Sequence, residues 1–165
     1  MKSTLYLLIV FLVNILITSG EAKADLETNW PIRGYATYEL ARSDGSILYS
    51  STVFLEVAGN QVYVYNTYLR DPLGSFSRCG GLGCDLGRGS RIGSLSFRNT
   101  VHNQSPIYSI LNSDGQASFM QGSICQVIDD NVFDKLMCRT LQGPHPEMTG
   151  TNWRDQTYVI FTPGT

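Results

Sequence analysis

Arg70, Arg78, Arg88, Arg91 and Arg98 crowd one glycine-dense stretch in which Asp71 and Asp85 are the only carboxylates. Glycine frees backbone amides to converge on an oxyanion, and guanidinium groups add charge in a fixed, bidentate geometry. Arg78, Gly87, Arg88, Gly89 and Arg91 are therefore the residues best suited to accept a sulfate, phosphate or carboxylate. The segment lacks the Gly-Lys-Ser/Thr of a nucleotide loop and the strand-to-helix setting of a dinucleotide fingerprint, so no cofactor is assigned. The same residues also describe a surface loop whose arginines are solvated or paired with Asp129, Asp130 and Asp134.

Tyrosine supplies a second chemistry. Tyr63, Tyr65 and Tyr68 follow one another closely, and Tyr35, Tyr38 and Tyr49 lie on the segments expected beside them. An exposed tyrosine stacks on a sugar ring or a protein partner while its hydroxyl hydrogen-bonds, so Tyr63 and Tyr65 join the candidate binding set. Half-buried cross-strand tyrosines that only stabilise a sheet fit the same pattern.

Catalytic and metal chemistry find less material. His102 and His145 are the only histidines. A hydrolase could pair one of them with a serine and an acid, or set His145 and Glu147 at a metal. Neither histidine sits in a nucleophile or ligand motif, so no catalytic residue is assigned. Asp129, Asp130, Asn131 and Asp134 cluster oxygen atoms without the glycine and distal glutamate of a calcium loop, and helix capping accounts for them. No metal ligand is assigned.

The four cysteines, Cys79, Cys84, Cys125 and Cys138, fit no zinc spacing and read as two disulfides. Three pairings exist. Closing short rings costs the chain least entropy, which favours Cys79 with Cys84 and Cys125 with Cys138, at about 2 and about 3 kcal/mol of stabilisation.

An oxidising compartment is also what the first 24 residues specify. Lys2 precedes an apolar run from Leu5 to Ile17, broken by Asn14, and Ala22-Lys23-Ala24 forms a small-x-small cleavage signature. The run is too short for a membrane span, which needs roughly 20 apolar residues. Residues 1–24 are expected to be a signal peptide and residues 25–165 a single secreted or periplasmic β-rich domain without stable membrane insertion. Taking Lys2, Lys23 and Glu21 from totals of 12 basic and 14 acidic residues leaves 10 against 13. That balance argues against nucleic acid as a partner. Apart from Lys135 the remaining basic residues are all arginine, a bias toward planar anion recognition.

The elements that must position these groups are strands. Residues 32–42 and 47–57 flank Ser43-Asp44-Gly45-Ser46, a strong hairpin signal, and Ala58-Gly59-Asn60 turns the chain into residues 61–69. There Val62 and Val64 alternate with Tyr63 and Tyr65. Periodicity is lost from Arg70 to Gly93, and a long irregular stretch in a small domain is commonly functional. Further strands are expected at residues 94–98, 107–111, 116–121, 124–128 and 156–162. Val132, Phe133, Leu136 and Met137 at helical spacing behind Asp129 and Asp130 predict one short helix near residues 130–140. A strand carrying Cys138 opposite Cys125 is the alternative. Trp30 and Trp153 each open a terminal strand behind Thr-Asn, as expected if the first and last strands are neighbours that close a barrel.

The fold class expected is all-β, a small antiparallel barrel or sandwich of about seven or eight strands with at most one short helix. The function expected is binding: a recognition module for an extracellular or periplasmic protein, a glycan or an anionic ligand, acting as an accessory factor or inhibitor. A small secreted hydrolase using His145 or His102 and a structural surface subunit are the alternatives.

Overall fold

The computed structural model describes residues 25–70, 85–102, 105–129, 134–140 and 157–164. The expected signal peptide, Arg78, Cys79, Cys84, His145 and Trp153 lie outside these residues. A four-residue helix α1 (Leu26–Asn29) is followed by eight strands, β1 (Arg33–Arg42), β2 (Ile47–Ala58), β3 (Gln61–Arg70), β4 (Asp85–His102), β5 (Ser105–Gly115), β6 (Ile124–Ile128), β7 (Lys135–Arg139) and β8 (Thr157–Pro163). Each strand pairs antiparallel with the next, and β8 returns to β1 from Ala36↔Pro163 to Arg42↔Thr157, which closes the barrel. The expected closure by the terminal strands is thus observed.

Alternation builds the interior. Ala36 and Leu40 of β1, Val53, Leu55 and Val57 of β2, Val62 and Val64 of β3, and Leu95 and Phe97 of β4 are buried at every second position. Their partners across the pleat face outward, as a period of two requires. The turns that set this register lie where the sequence places them: Gly45 and Gly59 have φ of 84° and 59°, conformations that an L side chain resists.

One end of the barrel is plugged. Asp25 caps α1 by accepting from the Thr28 amide at 3.0 Å. The helix is pinned to the β2–β3 turn, where the Leu26 amide donates to Asn60 Oδ1 (2.8 Å) and the Glu27 amide to Gly59 O (2.9 Å). Trp30, fully buried, then turns its ring into the barrel against Phe161 and donates Nε1–H to Asp134 O at 2.9 Å. Burying so large a ring contributes several times what a surface contact does, and the indole N–H is satisfied.

Three expectations are corrected. Residues 135–139 form β7 and not part of a helix. Their side chains alternate, with Leu136 and Cys138 buried and Met137 less so, and pairing with β6 outweighs the weak helical spacing. Cys138 lies directly opposite Cys125 and is bonded to it (S–S 2.07 Å), so the expected disulfide joins neighbouring strands. Residues 116–121 are not a strand. β5 runs on to Gly115, and the chain then folds into a 3-10 turn (Ser118–Met120) held by Ser113 Oγ donating to Ser118 O (3.0 Å). Finally, β4 begins at Asp85, nine residues before the strand expected at Ser94, so Gly87 to Gly93 are sheet and not loop.

Removing the disulfide with Cys125→Ala and Cys138→Ala is expected to cost about 3 kcal/mol, read as a lower urea midpoint with an unchanged far-ultraviolet spectrum. Burial raises the Tyr108 phenol above its ordinary 10.0, a hydrogen bond from Asn29 opposes the shift and the Asp25 charge adds to it. The contribution to stability is complete below about pH 10 and falls as pH rises toward the folded-state value, because the unfolded chain loses the proton first. Tyr108→Phe should flatten that part of the profile, measured as urea midpoints between about pH 9 and about pH 11, and should cost about 1 kcal/mol at neutral pH through the stranded Asn29 donor.

Candidate functional site

Four of the residues singled out from the sequence meet on the outer wall of β3 and β4. Val62 and Val64 are buried, so Tyr63 and Tyr65 project outward on the opposite side of β3. Arg91 stands opposite Tyr65 and Arg88 opposite Thr67 in the ladder, with register shifts on either side of Tyr65. Those irregularities bend the β3–β4 arm and bring Arg88 back over the aromatic wall.

The Arg88 guanidinium carbon sits 3.7 Å from the centre of the Tyr65 ring and 5.1 Å from that of Phe54. Its Nη2 lies 3.4 Å from Glu56 Oε2, and the other Glu56 oxygen is 3.4 Å from Arg33 Nη2. The Tyr65 hydroxyl donates to the same carboxylate at 3.3 Å. Beneath these charges Tyr35, Phe54 and Tyr65 form an edge-to-face row across three strands, with ring centres 5.3 and 6.1 Å apart. The Tyr35 hydroxyl donates to Leu86 O at 2.5 Å and so holds the far side of the arm. Glu56 is the hub of this arrangement, since one carboxylate with a side chain only 24% exposed serves two guanidinium groups and a phenol.

Arg91 stands apart. It lies 5.8 Å from the Tyr63 ring centre and pairs with Asp114 at 3.8 Å, both side chains being about half exposed (52% and 54%). Such a pair is worth well under about 1 kcal/mol and leaves Arg91 available to a competitor. Three guanidinium groups, those of Arg33, Arg88 and Arg91, thus meet two carboxylates on this wall.

Gly87 and Gly89 have a packing role. A Cβ at Gly87 would fall 2.5 Å from Tyr68 Cε2, and one at Gly89 would fall 1.9 Å from Asn66 Oδ1. Their bareness lets the side chains of β3 cross the arm. Tyr68 therefore lies on the face of β3 opposite Tyr63 and Tyr65, and Tyr38 and Tyr49 turn into the barrel mouth. Tyr35 and Tyr38 are three residues apart, an odd number, which in a strand places them on opposite faces. The tyrosine band read from the sequence accordingly divides in two.

The barrel mouth is a second site, which the sequence does not announce. Opposite the plugged end, Tyr38, Tyr49, Ser51, Gln116, Phe119 and Phe161 are among the residues around a cavity of about 80 Å³. The alternation of Tyr49, Ser51 and Val53 along β2 is the signal the sequence carries for it, whereas residues 116–121, which read as a strand, fold as a turn at its rim. Among the described residues no group of three or more His, Cys, Asp or Glu side chains could hold a metal ion. No helix among them is long and apolar enough to cross a membrane.

Comparison of the chain with protein-family models, with curated proteins and with solved structures gives no match.

Glu56→Gln keeps the shape of the hub and removes its charge. Hydrogen exchange at the amides of residues 85–90 should speed up several-fold while global stability falls by no more than about 1 kcal/mol. Arg91→Ala, outside the hub, should leave exchange in the arm unchanged.

Proposed function

We propose that this chain is an exported recognition module that engages a protein partner through the outer wall of β1 to β4. The observation that carries the reading is the Arg88 guanidinium laid over Tyr65 and tied to Glu56. Arginine and tyrosine dominate the energetic centres of protein interfaces, because each offers a broad apolar face with polar edges. Here both are already ordered, so a partner bears little of the usual cost of freezing long side chains. Exposed Leu69 and Leu86, on the arm, extend the patch with apolar area.

A small free anion fits this wall less well than a protein does. To reach Arg88 it must displace Glu56, whereas a protein surface can cover the rings and exchange only the looser Arg91–Asp114 pair. A glycan could stack on Tyr63 and Tyr65 and is the second arm of the test. Export is supported by the apolar amino-terminal run and by the Cys125–Cys138 disulfide, since such bonds persist in oxidising compartments.

A photo-crosslinking side chain at position 63 is expected to trap one partner from the fluid or envelope fraction around the source cell, and the same probe at position 137 on the opposite wall is not. Tyr65→Ala and Arg91→Ala should each cut that crosslink by about tenfold, with the Arg91 variant melting as the parent protein does. Equal trapping from both walls, or an undiminished crosslink in both variants, overturns the proposal. Saturable binding on a glycan array with no protein crosslink would reassign the wall to sugar.

A further inference from the structure

The barrel interior is filled unevenly, and the unevenness points to a second site, independent of the outer wall. At the plugged end Trp30, Leu26, Phe97 and Tyr108 are large side chains buried in the lumen. Toward the mouth the strands contribute shorter side chains, Ser51 and Val53 from β2 and Val64 from β3, and about 80 Å³ is left unfilled. A lumen of eight strands is just wide enough either to be packed by side chains or to hold one small molecule. Toward the mouth Val53, Val64, Met120 and Phe161 pack the lumen, and the cavity is the space they leave.

We infer that the mouth cavity binds a small, neutral molecule carrying a single ring and one hydrogen-bonding group. A space of about 80 Å³ limits the enclosed part of such a molecule to about one ring. The walls are aromatic: Tyr38 meets Tyr49 and Phe161 at ring-centre distances of 5.9 and 5.5 Å, and Phe119 stands at the rim. Rings so arranged offer faces and edges to another ring, with a gain beyond simple burial. Among the described residues none that lines the cavity carries a charge, so an ionised ligand would lose its water there without compensation. The Ser51 hydroxyl and the Gln116 carboxamide, beside the Tyr38 and Tyr49 phenols, are polar groups that can orient a neutral one, which matches the usual make-up of a small-molecule site.

Among the described residues the turn after β5 is the tied-down part of the rim. The Gln116 amide donates to Ile92 O at 2.8 Å, the Met120 amide to Ala117 O at 2.9 Å, and Ser113 Oγ to Ser118 O at 3.0 Å. Gly93 allows this closeness, because a Cβ there would fall 2.8 Å from Asp114 O and 3.2 Å from the Ala117 Cβ. The turn therefore stands as a fixed third side of the cavity.

The probe is p-cresol, titrated into the oxidised protein and followed by two-dimensional NMR, with benzoate as the charged comparator. Saturable shifts confined to the mouth are expected, with nuclear Overhauser contacts from the cresol ring to Phe119 and the Met120 methyl group. Benzoate should bind at least about tenfold more weakly. Ser51→Phe and Ala117→Leu, which fill the space from two sides, should each abolish the shifts, and Arg88→Ala on the outer wall should not alter them. The inference is overturned if p-cresol gives no saturable shift at millimolar concentration, if benzoate binds as tightly, or if the shifts centre on Tyr65. The Overhauser contacts in the parent protein decide the matter even if both filled variants fail to fold.

Discussion

Closure of the sheet by β1 against β8 is the constraint on which every other feature rests. An antiparallel meander has two edges whose amides and carbonyls would otherwise face water or another chain. Pairing the first strand with the last satisfies both rows and forces the side chains that alternate inward to share one lumen. Leu40, which pairs with both Tyr49 and Val159, owes its complete burial to neighbours on either side.

That closure divides the molecule into regions with different physical tasks. The end plugged by α1 and Trp30 stabilises, because it removes large apolar area from water and satisfies the buried polar groups it brings along. The mouth, walled by rings and small side chains, does not serve that end: filling it would add packing, yet the chain places Ser51 and Ala117 there. The outer wall of β1 to β4 is different again, since its order comes from a carboxylate shared among three partners. The wall of β6 and β7 is the thinnest part. Among the described residues β6 meets β5 in the ladder at Tyr108↔Cys125 and Ser109↔Ile124, and the disulfide ties β6 to β7.

Much of this was legible in the residues, for identifiable reasons. Asp44-Gly45 and Gly59 announced the hairpins because few residues tolerate the backbone twist such turns require, and the first three strands followed. The terminal tryptophans suggested closure, and ring entropy selected Cys125 with Cys138. Glycine misled the reading at β4: Gly87, Gly89 and Gly93 erase the alternation of large and small that marks a strand, although they are there so that Asn66, Tyr68 and Ala117 can approach. The helical spacing that reaches Leu136 and Met137 is overruled at those two residues by pairing with β6. The arginines were identified as a group, but Glu56, remote in sequence, could be joined to them only by the sheet register. The aromatic mouth stayed hidden because its rim comes from a turn that reads as a strand.

An even number of antiparallel strands has a last consequence, for orientation. β1 leaves the plugged end and β8 arrives there, so that the Gly164 amide donates to Tyr35 O beside the start of the barrel. Whatever is joined to the chain before α1 or after β8 hangs from that one pole. Tethered to a larger assembly by either terminus, the barrel would stand upright like a cup on its base, with its rim turned to the surroundings and its flank open to passing molecules.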